Sequence, residues 1–155
     1  MEKIIDISGQ TVAEIELIYK PFVKLSVQPK ISSSRDAYEI FRAKWNPNKI
    51  QFVEQLKVML LTKANTIIGI IEISSGNAGS TIADPKLIIG SAIKANASAF
   101  IMAHNHPSGS IAPSSSDIKL TQKVKEASKF FDLSFFDHLI ITNDRFFSMA
   151  EEGVM

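Results

Sequence analysis

Residues 99–117 read Ala-Phe-Ile-Met-Ala-His-Asn-His-Pro-Ser-Gly-Ser-Ile-Ala-Pro-Ser-Ser-Ser-Asp, and this stretch decides how the rest of the chain is arranged. The apolar run Ala99 to Ala103 suits a buried strand and is far too short to span a membrane. Side chains alternate along a strand, so His104 and His106 share a face and Asn105 takes the other. Pro107 and Gly109 then turn the chain, and a helix is expected from about Ser114, with Asp117 in its first turn. Two imidazoles and a carboxylate meet where a strand ends and a helix begins. Three nitrogen and oxygen ligands with a fourth position left for water is the pattern of a catalytic zinc. The spacing also fits plainer readings. Ser114 to Asp117 is a capping box, and histidines beside a turn are often simply solvated.

The pattern His-x-His-Pro-x-x-x-x-x-Pro-Ser-x-x-Asp resembles the metal-binding motif of the JAB/MPN (JAMM) metalloprotease-like domains and is matched at every defined position. Ala95-Asn-Ala97 before the strand and Asp137-His-Leu-Ile-Ile141 after the helix are similar to the RadC branch of that family in particular. The likeness runs over about residues 50 to 153. It implies an α/β fold, a JAB/MPN domain with a mixed β-sheet flanked by helices, related to the cytidine-deaminase-like architecture. It also implies a zinc ion (Zn2+) on His104, His106 and Asp117, and hydrolysis of an amide bond in a peptide or protein substrate.

Hydrolysis needs a proton acceptor and donor, which in the family is a glutamate upstream of the histidines. Glu54 and Glu72 compete for that role. Glu54 opens Glu54-Gln-Leu-Lys-Val-Met-Leu-Leu61, which is similar to the family's glutamate-bearing strand and is the favoured choice. Glu72 sits late in the next strand and also reads as an exposed strand-end carboxylate. Ser114 is the motif's serine: the resemblance gives its hydroxyl to a developing oxyanion, whereas the plainer reading makes it the helix cap. Asp137-His138 invites a catalytic role, but a satisfied, partly buried histidine is the reading adopted here. Asn105 is read as a loop hydrogen-bonder.

Composition sets the outer bounds. The 155 residues are expected to form one domain, with residues 1–49 as an N-terminal strand and helix extension and residues 50–153 as the RadC-like core. Hydrophobic residues make up 45% and charged residues 21%, which is globular rather than disordered. The absence of cysteine excludes disulfides and thiolate metal sites. With no signal-peptide pattern and no membrane-length run, a cytoplasmic protein is expected. The alternative function is a DNA-repair-associated or mobile-element accessory protein that binds DNA or a repair partner around a structural metal. A net charge of +1 without a lysine or arginine cluster gives a stand-alone DNA binder little footing.

Working outward, alternation predicts a half-buried strand over residues 12–19 and a second extended piece over residues 22–27. Ser32-Ser-Ser34 caps a helix over residues 35–45 whose apolar side is Ala37, Ile40, Phe41 and Trp45. Residues 52–61 and 66–73 form a hairpin about Thr62 to Asn65. Ser74 to Ser80 is a loop without phosphate-cradle context. Asp84 and Pro85 open a helix to about Asn96. The helix after the motif runs to about Phe131 and buries Ile118, Val124 and Ala127. Residues 133–142 and 145–149 close the chain as a hairpin.

Overall fold

The computed structural model describes residues 5–7, 10–13, 15, 16, 20 and 23–155. In chain order its elements are β1 (Ile5–Ile7), β2 (Gln10–Val12), α1 (Ser34–Lys44), β3 (Gln55–Leu61), β4 (Ile67–Ser75), α2 (Pro85–Lys94), β5 (Ala99–Asn105), α3 (Ser115–Lys129), β6 (Ser134–Ile141) and β7 (Phe146–Ser148). Five strands form the main sheet in the order β4-β3-β5-β6-β7, while β1 and β2 pair with each other in a separate two-stranded ribbon. Strand β3 is antiparallel to both β4 and β5. Strands β5 and β6 are parallel, joined across the sheet by α3, so the sheet is mixed, as expected. No helix among the described residues is long and apolar enough to cross a membrane.

Parity along β3 and β5 divides the core in two. Met59, Leu61, Ile101 and Ala103 face α1, where Ala37, Phe41 and Trp45 cover them. Leu56, Val58, Leu60, Phe100 and Met102 face α2 and α3, meeting Ile88, Ala92 and Val124. Removing a side chain such as Phe41 from water contributes roughly 1.5–3 kcal/mol, and its complete burial shows α1 seated in the core rather than beside it. Each helix begins at a residue whose side chain accepts an orphan backbone N–H. Ser33 serves α1, Asp84 serves α2 and Ser114 serves α3.

Several elements differ from expectation. Among the described residues of the strand predicted over residues 12–19, only Val12 belongs to a strand. Ala13, Ile15 and Glu16 are exposed and irregular, and residues 14 and 17–19 lie outside the described residues. Of the expected apolar face, the described Ile15 is exposed. In the second expected piece, Leu25–Val27 is a single 3-10 turn with no buried residue, and Phe22 lies outside the described residues. Strand β3 starts at Gln55 rather than Phe52. Backbone hydrogen bonds from Phe52 and Val53 to the Lys49 carbonyl keep that stretch coiled. On α3 the fully enclosed positions are Thr121, Val124 and Ser128, with Ile118 and Ala127 only half-buried.

Candidate metal centre

The strand-to-helix junction places the motif residues as alternation requires. His104 ends the buried run of β5 on the face covered by α2 and α3, and His106 follows one step beyond the strand. The intervening loop is pinned. His106 N–H donates to the Ile141 carbonyl (3.2 Å), Gly109 N–H to the His106 carbonyl (3.0 Å), and Arg145 Nη2 to the Gly109 carbonyl (2.9 Å). Gly109 sits at φ 82°, a conformation that side-chain-bearing residues rarely adopt.

His104 Nε2 lies 3.0 Å from His106 Nε2 and 3.4 Å from Asp117 Oδ1. His106 Nε2 lies 3.6 Å from Asp117 Oδ2. Ligands about 2.0–2.1 Å from a tetrahedral ion stand roughly 3.3 Å apart, so this spacing fits an ion at the centre of the three groups. The donor chemistry fits as well. His106 Nδ1 is 2.9 Å from the Ser110 carbonyl, which only accepts, so a neutral His106 carries its proton there and leaves Nε2 bare. The three residues form a group that can hold a metal ion.

The capping box read from Ser114 to Asp117 is present. Ser114 Oγ accepts from Asp117 N–H (3.1 Å), and Asp117 Oδ2 accepts from Ser114 N–H (2.7 Å). This capping box uses one carboxylate oxygen and orients the other, Oδ1, toward the histidines. Ser114 is exposed and, having accepted a bond from Asp117, still has its own O–H proton to donate.

Glu54 and Glu72 are separated by the sheet. A cavity of about 190 Å³ is lined by Glu54, His104 and Asp117 together with Leu56, Ala83 and Leu120. The Glu54 backbone is clamped by the loop after β4: its N–H donates to the Asn77 carbonyl and its carbonyl accepts from Gly76 N–H, both at 2.8 Å. That loop closes so tightly that a Cβ on Gly76 would lie 1.9 Å from the Ser80 carbonyl oxygen. Glu72 pairs across the hairpin with Lys57, after a bulge at Leu60/Leu61 that sequence parity could not foresee. Its carboxylate accepts from Gln55 Nε2 (2.9 Å) and lies 3.7 Å from Lys57 Nζ, which itself sits over the Trp45 ring. This is the α1 face, away from the histidines.

Three residues around the site were read only in part, or not at all, from the sequence. Asn105, read there as a loop hydrogen-bonder, is fully buried in β5 and reaches through to residues 50–55. Its Oδ1 accepts from Gln55 N–H (2.7 Å) and its Nδ2 donates to the carbonyls of Ile50 (2.7 Å) and Val53 (2.9 Å). Asn105→Ala strands these buried groups at about 1–3 kcal/mol for each one left unsatisfied. A stability loss of roughly 2–4 kcal/mol, read from the denaturant midpoint, is expected, and a loss below about 0.5 kcal/mol would show that the clamp carries nothing. His138 and Thr121 are the other two, and they stack behind His104: His138 Nε2 is 2.7 Å from His104 Nδ1, and Thr121 Oγ1 is 2.6 Å from His138 Nδ1. Complete burial holds the His138 pKa well below the usual imidazole value, so its ring is neutral.

Electrostatics tie the metal-free centre to protons. Burial pushes the Asp117 carboxyl upward, but hydrogen bonds from His104 and His106 and the charge of His104 outweigh it, holding Asp117 far below the carboxylate range. The Asp117 carboxylate in turn raises His106, against an opposing push from burial. A depressed acid contributes stability above its unfolded pKa of 3.8, lost as pH falls; a raised histidine contributes fully below 6.5 and loses its share as pH rises through its folded value. Metal competes with those protons. The gain in Tm on adding zinc should therefore grow from about pH 5.5 to about pH 8, and a gain that is flat or falls over that range would contradict the ligand assignment.

A mixed sheet flanked by three helices, with His-x-His at a strand end and an aspartate on the next helix, defines a JAB/MPN domain. Within that class the chain belongs to the RadC-like JAB domain family, whose sequence model matches residues 31–154, a span that includes α1. It is 35% identical to a UPF0758 protein of Flavobacterium johnsoniae over 127 residues, covering 81% of this chain and 53% of the relative. A UPF0758 protein of Porphyromonas gingivalis is 44% identical over 103 residues, covering 66% of this chain and 45% of the relative. A UPF0758 protein of Clostridium beijerinckii is 32% identical over 143 residues, covering 92% of this chain and 61% of the relative. The chain thus spans about half the length of these curated relatives.

Proposed function

We propose that this chain is a zinc-dependent hydrolase of the JAMM type, acting on an amide bond of a peptide or protein. One observation carries the reading: two of the three donor groups, His104 and Asp117, line a cavity that also holds a carboxylate, Glu54, which is not one of the three. Neutral His104, neutral His106 and ionised Asp117 suit a dication and leave one net positive charge. A zinc ion bound there supplies Lewis acidity, lowering the pKa of a water toward ~7 and polarising a carbonyl.

The protein's own groups carry the proton traffic. Glu54 takes the proton of the attacking water and delivers it to the departing amine nitrogen, so that amide and water become acid and amine. The Ser114 hydroxyl donates to the carbonyl oxygen as negative charge gathers on it. Leu56, Ala83 and Leu120 form the apolar side of the cavity, where charge interactions are less screened than in water.

The test is a peptide-library cleavage screen on protein whose zinc content has been measured. Cleavage that a chelator abolishes and zinc restores is expected. Protein holding one zinc per chain yet cleaving nothing across the library would overturn the hydrolase reading.

A further inference from the structure

His138 lies on β6 and Thr121 on α3, yet both meet His104 through a continuous file of short hydrogen bonds. Thr121 Oγ1 is 2.7 Å from the Asp117 carbonyl oxygen, His138 Nδ1 is 2.6 Å from Thr121 Oγ1, and His138 Nε2 is 2.7 Å from His104 Nδ1. All three side chains are buried, so no water relieves a mismatch in this file.

Hydrogen-bond accounting gives the file a direction. A carbonyl oxygen only accepts, so the single Thr121 hydroxyl proton goes to Asp117. Thr121 Oγ1 is then the acceptor, and His138 Nδ1 must carry the proton of its neutral ring. That leaves His138 Nε2 bare, and it can only accept, so His104 Nδ1 carries its proton. The remaining lone pair, on His104 Nε2, is turned to the ion site. Run in reverse, the same file would place a hydrogen on His104 Nε2, 3.0 Å from His106 Nε2, and block the centre.

We infer that Thr121 and His138 are positioning residues that hold His104 in its ligand-competent tautomer and orientation, with the file closing on the backbone of Asp117, a second ligand. This rests on reading the centre as a zinc site. The general precedent is physical: a partner on the far ring nitrogen fixes a ligating histidine, and losing that partner typically weakens metal binding about 10–100-fold.

The experiment uses the full chain and two readouts. Zinc affinity is measured by competition with a chelator, and the tautomers of His104 and His138 are read from ring ¹⁵N chemical shifts at about pH 8, where imidazoles are neutral. In metal-free wild type, both rings are expected to be protonated on Nδ1. His138→Phe keeps a ring but no nitrogen, and should weaken zinc about 10–100-fold and release His104 from a single tautomer. Thr121→Val, close in shape to threonine, should act in the same direction without opening a cavity, whereas Thr121→Ser restores the hydroxyl and should recover wild-type affinity and shifts. A merely structural role would not separate Val from Ser in the His104 shifts. Wild-type His104 protonated on Nε2, or a folded His138→Phe or Thr121→Val that binds zinc as wild type does, would overturn the inference. If wild type bound no zinc, the zinc-hydrolase reading would fall, and the metal-free tautomers would still decide for or against the file.

Discussion

Glu54→Gln should leave zinc content and fold intact and reduce hydrolysis by about 10²–10⁴-fold. The substitution keeps size and shape and removes only the ability to take and return a proton. Glu54 is nearly buried, its backbone is held at both N–H and carbonyl by the loop after β4, and its side chain lines the cavity shared with His104 and Asp117. None of those backbone bonds depends on the carboxylate, so the fold has little reason to respond. Glu72→Gln is the control, expected to stay within a few-fold of wild type, because Glu72 spends its carboxylate on Gln55 and Lys57 across the sheet. Turnover of a peptide found in the cleavage screen, with zinc measured in parallel, decides the matter. The reverse outcome would move the proton-transfer role to Glu72, and equal activity in both variants would sink the mechanism as drawn.

His104→Ala and Asp117→Ala should each lose most of the roughly one zinc per chain that the wild type is expected to hold, and all hydrolysis with it. The two losses differ in kind. His104 is almost wholly buried and contacts three side chains, so its removal opens space beneath the centre as well as deleting a donor. Asp117 is both a donor and half of the α3 capping box, so Asp117→Ala also weakens the helix start, by about 0.5–2 kcal/mol on the scale of capping losses. Asp117→Asn separates these roles, since its amide oxygen still caps Ser114 N–H while the charge is gone. Zinc lost from Asp117→Asn with Tm nearly unchanged is the expected result. Full zinc in both alanine variants would show that the ligands have been misassigned.

What the sequence made legible follows from the range of the forces involved. Caps and strand parity act over a few residues, so Ser33, Asp84 and Ser114 announce their helices and His104 and His106 announce a shared face. Glu54 was reached through motif likeness, because the bulge at Leu60/Leu61 breaks the two-residue count from the turn that would have excluded Glu72. Thr121 was not legible, and His138 was legible as a satisfied histidine but not as the partner of His104. No period relates positions 121 and 138 to position 104, and their meeting exists only because α3 crosses back over the sheet to bring β6 beside β5. Asn105 was legible as facing away from the histidines, but not as the tie to residues 50–55. At the strand expected over residues 12–19, the described Ala13, Ile15 and Glu16 are irregular, so alternation there did not by itself make a strand.

The alternation of β5 has a bearing on how this site can change over time. His104 answers to the side of the sheet that carries the candidate metal group and Asn105 to the side that tethers the Glu54 segment, so consecutive residues serve opposite halves of one candidate site. Inserting or deleting a residue anywhere between β5's start and His106 would exchange the two faces, driving an amide toward the ion and an imidazole into the α1 core. Such a lineage would lose ligand and tether in one step, with no weakened intermediate for selection to repair. Length variation is therefore confined to the loops beyond the strand, and the two-residue step from His104 to His106 is fixed by geometry on both of its sides.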